Sequence, residues 1–242
     1  MRLRSAASTD VGRRRRANED CFAIVSELGL YLVADGMGGH SAGQVASRLA
    51  VDSAVAALGD LESATATPTE RLRIAVAAAN RAIFTTAQEK SELTGMGTTL
   101  VALLADGQRI ALAHVGDSRA YLVRGGRIRQ LTDDHSLVAE LMRRHEIDAD
   151  DALEHPHRHV LTRALGVRRS VEPDLVEMTP ARGDVFVLCS DGLTGHVHDE
   201  EIAKEVGSTS DLEAVCGHLV DLANSRGGDD NITVVCVRSE ES

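Results

Sequence analysis

Apolar positions recur at three- and four-residue steps in two places along the chain. Residues 69–90 set Leu72, Val76, Ala79 and Ile83 on one face, and residues 41–58 carry Val45, Leu49 and Val55 among many alanines. Both patterns predict helices. Pro68 followed by Thr69 and Glu70 suits a first helical turn, and the small, polar stretch 59–67 before it predicts a loop. Elsewhere the apolar runs are short and β-branched or Leu-rich. They cover 21–26, 30–34, 98–105, 110–115 and 120–124, then 175–178, 185–189 and 232–237. Turn signals such as Ala105-Asp106-Gly107 and Arg124-Gly125-Gly126 separate them. Several connections are too short for a crossover helix, which predicts antiparallel pairing. Two further helices are expected at 136–145 and 211–225, the first followed by a polar stretch to His159. Helices interleaved with hairpin-like clusters of strands predict an α+β fold of layered antiparallel sheets rather than a doubly wound parallel sheet.

Composition narrows the picture. At 242 residues the chain is long for one domain and short for two, so a single large domain is expected. Apolar residues make up 43% and aromatics only 2%, so Val, Leu, Ala and Ile must fill the core. The formal net charge of −11 repels nucleic acid and anionic lipid over most of the surface, which argues against both as partners. No signal-peptide pattern or span-length apolar run is seen, and Cys21, Cys189 and Cys236 lie in strand-like runs as buried thiols would. The expectation is a cytoplasmic, monomeric protein.

The chemistry is signalled by where the acids fall. Asp35 leaves a strand into Gly36-Met37-Gly38-Gly39, Asp117 follows Val115-Gly116, Asp191 precedes Gly192, and Asp230 sits in Asp229-Asp230-Asn231; Glu19-Asp20 precedes the 21–26 run. Asp in any one turn is explained by local capping. If the strand ends converge, however, like charges about 4 Å apart repel by roughly 4 kcal/mol per pair at an effective dielectric near 20. Such a cluster needs protons or cations, and an all-oxygen set suits Mn²⁺ or Mg²⁺ rather than Zn²⁺. The glycines after Asp35 lack the third position of a dinucleotide fingerprint, and no P-loop is present. In the arginine run 13–16 the bland reading is a solvated charged stretch, with one arginine suited to clamp a phosphate.

These stations occur within a series of motifs. They are Asp10-x-Gly12-x-x-Arg15-x-x-Asn18-Glu19-Asp20, Asp35-Gly36-Met37-Gly38-Gly39, Gly95-Met96-Gly97-Thr98-Thr99, His114-Val115-Gly116-Asp117-Ser118-Arg119, Leu161-Thr162-Arg163-Ala164-Leu165-Gly166, Ser190-Asp191-Gly192-Leu193 and Asp230-Asn231-Ile232-Thr233-Val234. In that order they resemble the PPM, or protein phosphatase 2C-like, metal-dependent serine/threonine phosphatases in their compact bacterial form.

The resemblance implies a four-layer α-β-β-α sandwich, two packed antiparallel sheets flanked by helix pairs. The domain would cover 9–237, with a flap at 132–160, a strand or tail at 1–8 and a tail at 238–242. It further implies that Asp35 bridges two metals, that Asp191 and Asp230 complete one, and that Glu19 with the carbonyl of Gly36 holds the other. Asp20 would act through metal-bound water, Asp117 with Asp191 would hold a third, looser ion, and Arg15 would bind the substrate phosphate. A hydroxide bridging two Mn²⁺ or Mg²⁺ ions would attack phosphoserine or phosphothreonine without a covalent intermediate. The substrates would be phosphoproteins, including a serine/threonine kinase that the enzyme opposes.

The sequence departs from eukaryotic relatives at Met37, where they place a histidine as presumed general acid. A metal-bound water is the first alternative and nearby His40 a weaker one. In the flap, His155, His157 and His159 alternate and could face one way to bind Zn²⁺, or act as ordinary loop histidines. Readings in other classes are a metal-free binding relative, an antagonist dedicated to one regulatory partner and a small-ester phosphatase.

Overall fold

The computed structural model describes residues 2–38, 41–60 and 66–240. The strands are β1 (Arg2–Asp10), β2 (Asp20–Val25), β3 (Leu30–Met37), β4 (Gly97–Thr98), β5 (Leu100–Asp106) and β6 (Arg109–Val115). They continue with β7 (Arg119–Arg124), β8 (Arg127–Gln130), β9 (Asp174–Met178), β10 (Val185–Cys189) and β11 (Ile232–Glu240). The helices are α1 (Ser41–Gly59), α2 (Pro68–Glu89), α3 (Leu137–Arg143), α4 (Ala149–Glu154), α5 (Asp191–Thr194), α6 (Asp199–Ser208) and α7 (Leu212–Ser225). One sheet runs β1-β11-β10-β7-β8 and the other β2-β3-β5-β6-β9, with β4 paired to β3. Every pairing is antiparallel.

The two-residue side-chain period of a strand builds three core layers from one sequence. On β3, Leu30, Leu32 and Ala34 face α1 and α2, while Tyr31 and Val33 meet Phe186, Leu188, Val235 and Val237 of the other sheet. Beyond that second sheet, Val187, Cys189, Val234 and Cys236 pack on Val215, Cys216 and Leu219 of α7. The order of layers is therefore helix, sheet, sheet, helix. Strands buried on both faces read as continuous apolar runs, as they do here.

Local signals explain the helix ends. Thr67 caps α2: its hydroxyl accepts from Glu70 N–H, Glu70 Oε2 accepts from Thr67 N–H, and Pro68 fills the first turn. Helix α1 corrects the sequence reading of its face. Its fully buried stripe is Ala42, Ala46, Ala50 and Ala54 with Val51 and Leu58, whereas Val45, Leu49 and Val55 are only partly buried. Methyl side chains at four-residue steps let the helix approach β3 closely. The sequence pattern does not signal β8, α4 or α6, the strand alternative at 1–8 corresponds to β1, which runs on to Asp10, and β11 continues past Val237 to Glu240. β1 and β8 are edge strands with polar alternation, and their apolar signal is correspondingly weak. The C-terminal ends of β3, β6 and β10 and the N-terminal ends of β2, β7 and β11 all lie at one edge of the sandwich. No described helix is long and apolar enough to cross a membrane. All four cysteines are buried and unpaired.

Candidate metal centre

The acids singled out in the sequence meet at this edge. Asp20 opens β2 directly opposite Asp35 near the end of β3. Asp191 begins α5 straight after β10, Asp117 lies in the turn joining β6 to β7, and Asp230 precedes β11. Each approach is held by short polar contacts. Asp35 N–H donates to Thr99 Oγ1 at 2.9 Å, and its carbonyl accepts Thr98 Oγ1–H at 2.7 Å and Thr99 N–H at 2.9 Å. Thr99 Oγ1 lies 2.7 Å from Ser118 Oγ, which ties the end of β3 to the Asp117 turn. Ser190 Oγ–H donates to Asp20 Oδ2 at 2.7 Å, and Thr233 N–H donates to Ser190 Oγ at 3.0 Å.

Glu19 is fixed through its backbone. Its N–H donates to Asn231 Oδ1 at 2.7 Å, and its carbonyl accepts Gly36 N–H at 3.2 Å and Ser47 Oγ–H at 2.5 Å. Gly36 and Gly43 are packed so closely against Glu19 that side chains there have no room. A Cβ on Gly43 would collide with Glu19 Oε2 and lie 2.8 Å from the Gly36 carbonyl oxygen. Buried Asn231 donates to the carbonyls of Val11 at 2.9 Å and Ala17 at 3.0 Å, closing the 11–19 loop over the site. From that loop Arg15, its side chain 50% exposed, places Nη2 2.6 Å from Asp230 Oδ2.

The electrostatics follow from crowding. Burial and the neighbouring charges of Asp191 and Asp230 push Asp20 up to about 7. Burial, then Asp191 and Asp134, pushes Asp117 up to about 8. Asp35 lies well above the carboxylate range because of burial and the charges of Asp20, Asp191, Asp117 and Asp230. Asp191 is raised by burial and Asp230, against a hydrogen bond with Asp35 that lowers it. Asp20 Oδ1 and Asp191 Oδ1 are buried with no hydrogen-bond partner among the described residues. Acceptor-only oxygens without donors, among carboxylates that resist ionising, are the counterpart of bound cations. The donor set fits hard divalent ions such as Mn²⁺ and Mg²⁺.

Gly39 and His40 lie outside the described residues. Met37 is half-buried at the end of β3, and its thioether carries no proton to donate. In the 132–160 segment the rings of His155 and His157 lie 5.8 Å apart, and His159 is close enough to Asp191 for its charge to lower that acid's pKa. Three ligand atoms do come together elsewhere, on His114, His135 and Asp174, all within 4.8 Å. Sequence spacing pointed to the flap histidines because they are adjacent in the chain; the group that converges is scattered along it. Also missed were Thr99, Ser118, Ser190, Asn231 and Thr233, which hold the acids in place, although all five stand inside the quoted motifs.

Residues 12–224 match protein phosphatase 2C. The chain is 42% identical over 237 residues to the serine/threonine phosphatase Stp of Listeria monocytogenes, covering 96% of this chain and 94% of that one. Among solved structures it is similar to the Mycobacterium tuberculosis serine/threonine phosphatase PstP/Ppp, with a TM-score of 0.91 and 40% identity over 99% of both chains. A PstP catalytic domain in complex with two manganese ions aligns with a TM-score of 0.87 and 38% identity, again over 99% of both chains.

Proposed function

The chain belongs to the protein phosphatase 2C family of metal-dependent serine/threonine protein phosphatases, and we propose that the carboxylate edge of its sandwich is the centre where phosphoserine and phosphothreonine are hydrolysed. The observation that carries this is the convergence of Asp20, Asp35, Asp117, Asp191 and Asp230 with two buried oxygens left without donors. On this reading Asp35, Asp191 and Asp230 would hold one Mn²⁺ or Mg²⁺ ion, Asp35 and Glu19 with the Gly36 carbonyl would hold a second, and Asp117 with Asp191 would hold a third, looser one. When bound, the ions activate the nucleophile at neutral pH and neutralise charge on the phosphoryl oxygens.

The chain's own residues do the rest. Hydrolysis forms one P–O bond from water and breaks the bond to the Ser or Thr oxygen, which leaves with a proton. Asp20, held by Ser190 at Oδ2, has its other oxygen buried without a donor, and on this reading it orients the attacking water. Arg15 stands at the mouth with a planar fork of donors suited to two phosphate oxygens. Among the described residues of the site no thiol or hydroxyl is placed as a nucleophile: Cys189 is buried and pushed up to about 12, chiefly by burial. Met37 supplies no proton, and on this reading the leaving oxygen takes its proton from a water of the site. The substrates on this reading are phosphoproteins, a serine/threonine kinase among them, met by a monomer in the cytoplasm.

Asp35→Asn tests the assignment. Turnover of a phosphothreonine peptide should fall at least a thousandfold, and calorimetry should show loss of tight Mn²⁺ binding by a protein that still melts cooperatively. Near-normal turnover or Mn²⁺ binding in that variant removes Asp35 from the centre.

A further inference from the structure

A second group of ligands lies beside the carboxylate centre and is not used by it. His114 near the end of β6 and Asp174 at the start of β9 are cross-strand neighbours. His135, at the base of the 132–160 segment, stacks its ring at a tilt of 37° and a centroid distance of 4.5 Å from that of His114. One ligand atom from each of the three falls within 4.8 Å of the others. His114 is 2% exposed, and neither ring nitrogen makes a well-formed hydrogen bond among the described residues, although the Gly116 backbone lies close enough to favour its protonated form. A buried polar group left without a partner is costly, so a ring that carries two calls for a ligand. Burial holds the imidazole neutral, with its pKa down to about 3, so a lone pair is available at neutral pH. A cleft of about 350 Å³, lined by Leu131, Thr132, Asp133 and Val176 among others, opens onto His114 and Asp174.

The geometry points to a separate binding site for a Zn²⁺-type transition-metal ion, with His114, His135 Nε2 and Asp174 Oδ2 as protein ligands and solvent from the cleft as the fourth. Two imidazoles and one carboxylate suit borderline ions, in contrast to the oxygen-only set next door. Asp174 can serve while keeping its other oxygen on Arg163, whose Nη1 lies 2.5 Å from Oδ1.

His135 sets the consequence of binding. Its Nδ1 accepts the N–H of Gly116 at 3.0 Å, so Nε2 carries the ring proton and donates to Asp174 Oδ2 at 3.0 Å. A cation on Nε2 displaces that proton to Nδ1, where it confronts the Gly116 N–H and breaks that hydrogen bond. Gly116 leads directly into Asp117. Occupancy of this site therefore works against the turn that carries one acid of the main centre, and Zn²⁺ there inhibits. The inhibition rests on the role proposed for Asp117; the binding site does not.

Co²⁺ is the probe, because a four-coordinate ion with two nitrogen ligands absorbs intensely in the visible whereas a six-coordinate oxygen site is nearly colourless. Titrating Mn²⁺-saturated full-length protein with Co²⁺ should develop four-coordinate bands that saturate at one equivalent. His114→Phe keeps a flat ring at this position, removes both nitrogens and should abolish the bands in a protein that still melts cooperatively. The exposed Asp174→Asn variant, which leaves the core intact, should weaken Co²⁺ binding at least tenfold. Added Zn²⁺ should speed hydrogen exchange at the Gly116 amide in wild type and not in His114→Phe. Absence of bands in the wild type, or bands that persist in both variants, overturns the site. Bands with unchanged Gly116 exchange overturn the inhibitory step. None of these readouts uses turnover, so failure of the phosphatase reading leaves them distinct.

Discussion

Replacing Asp20 by Asn should stabilise the metal-free protein, by an amount that grows as the pH rises from about 4 to about 7. The carboxyl is displaced from 3.8 up to about 7 in the folded chain, by burial first and by Asp191 and Asp230 next. Below about pH 4 both folded and unfolded chains hold this proton. Between about pH 4 and 7 the folded chain keeps it while the unfolded chain releases it, so stability falls as pH rises through that window. A displacement of about three units corresponds to about 4 kcal/mol at most. The acids share protons and charge, so one substitution should recover a part of this, on the order of 2 kcal/mol. For a domain of this size that is about 4–8 °C in melting temperature. The assay is thermal unfolding of EDTA-treated wild type and Asp20→Asn at about pH 4 and at pH 8. The variant should melt higher at pH 8 and nearly match the wild type at about pH 4, and saturating Mn²⁺ should reverse the order at pH 8. An equal gain at both pH values, or none at pH 8, refutes the argument that burial and the neighbouring acids hold Asp20 protonated in the metal-free fold.

Other perturbations probe the parts that hold the site. Arg15→Ala should raise KM for a phosphopeptide about tenfold with a smaller change in kcat, since a charge-assisted contact contributes about 1.5–3 kcal/mol; an unchanged KM moves the phosphate clamp elsewhere. Gly43→Ala should push Glu19 aside and weaken Mn²⁺ binding about tenfold in a titration; wild-type affinity would show that Glu19 is dispensable for metal. Asn231→Asp keeps the acceptor for Glu19 N–H but leaves the Val11 and Ala17 carbonyls without their donors. It should cost about 2–4 kcal/mol, seen as a drop in denaturant midpoint, and a neutral outcome would mean that the 11–19 loop is held by other contacts.

Much of the fold was legible because its strands are buried on both faces and its longest helix carries its own punctuation. The capping box at Thr67 and Glu70 and the run 30–34 need no tertiary information to interpret. The alanine stripe of α1 was misread for a physical reason: hydrophobicity ranks Val and Leu above Ala, but close approach to a sheet selects the smaller side chain. At the site, each acid was visible as a strand-end residue in a glycine turn, and only the family resemblance joined them. Their meeting is a property of the sheet registers, Asp20 against Asp35 above all. His114, His135 and Asp174 are separated widely in the chain and joined by the pairing of β6 with β9, so no spacing rule could have grouped them.

The central claim is that a carboxylate centre loaded with hard divalent ions hydrolyses phosphoserine and phosphothreonine. Its most direct test is phosphate release from a phosphothreonine peptide by EDTA-treated protein, with Mn²⁺ or Mg²⁺ restored. Release should be absent without metal, return with Mn²⁺ or Mg²⁺, and remain absent in Asp35→Asn under the same conditions. Release that persists after metal removal, or that Mn²⁺ and Mg²⁺ both fail to restore to a folded protein, contradicts the account.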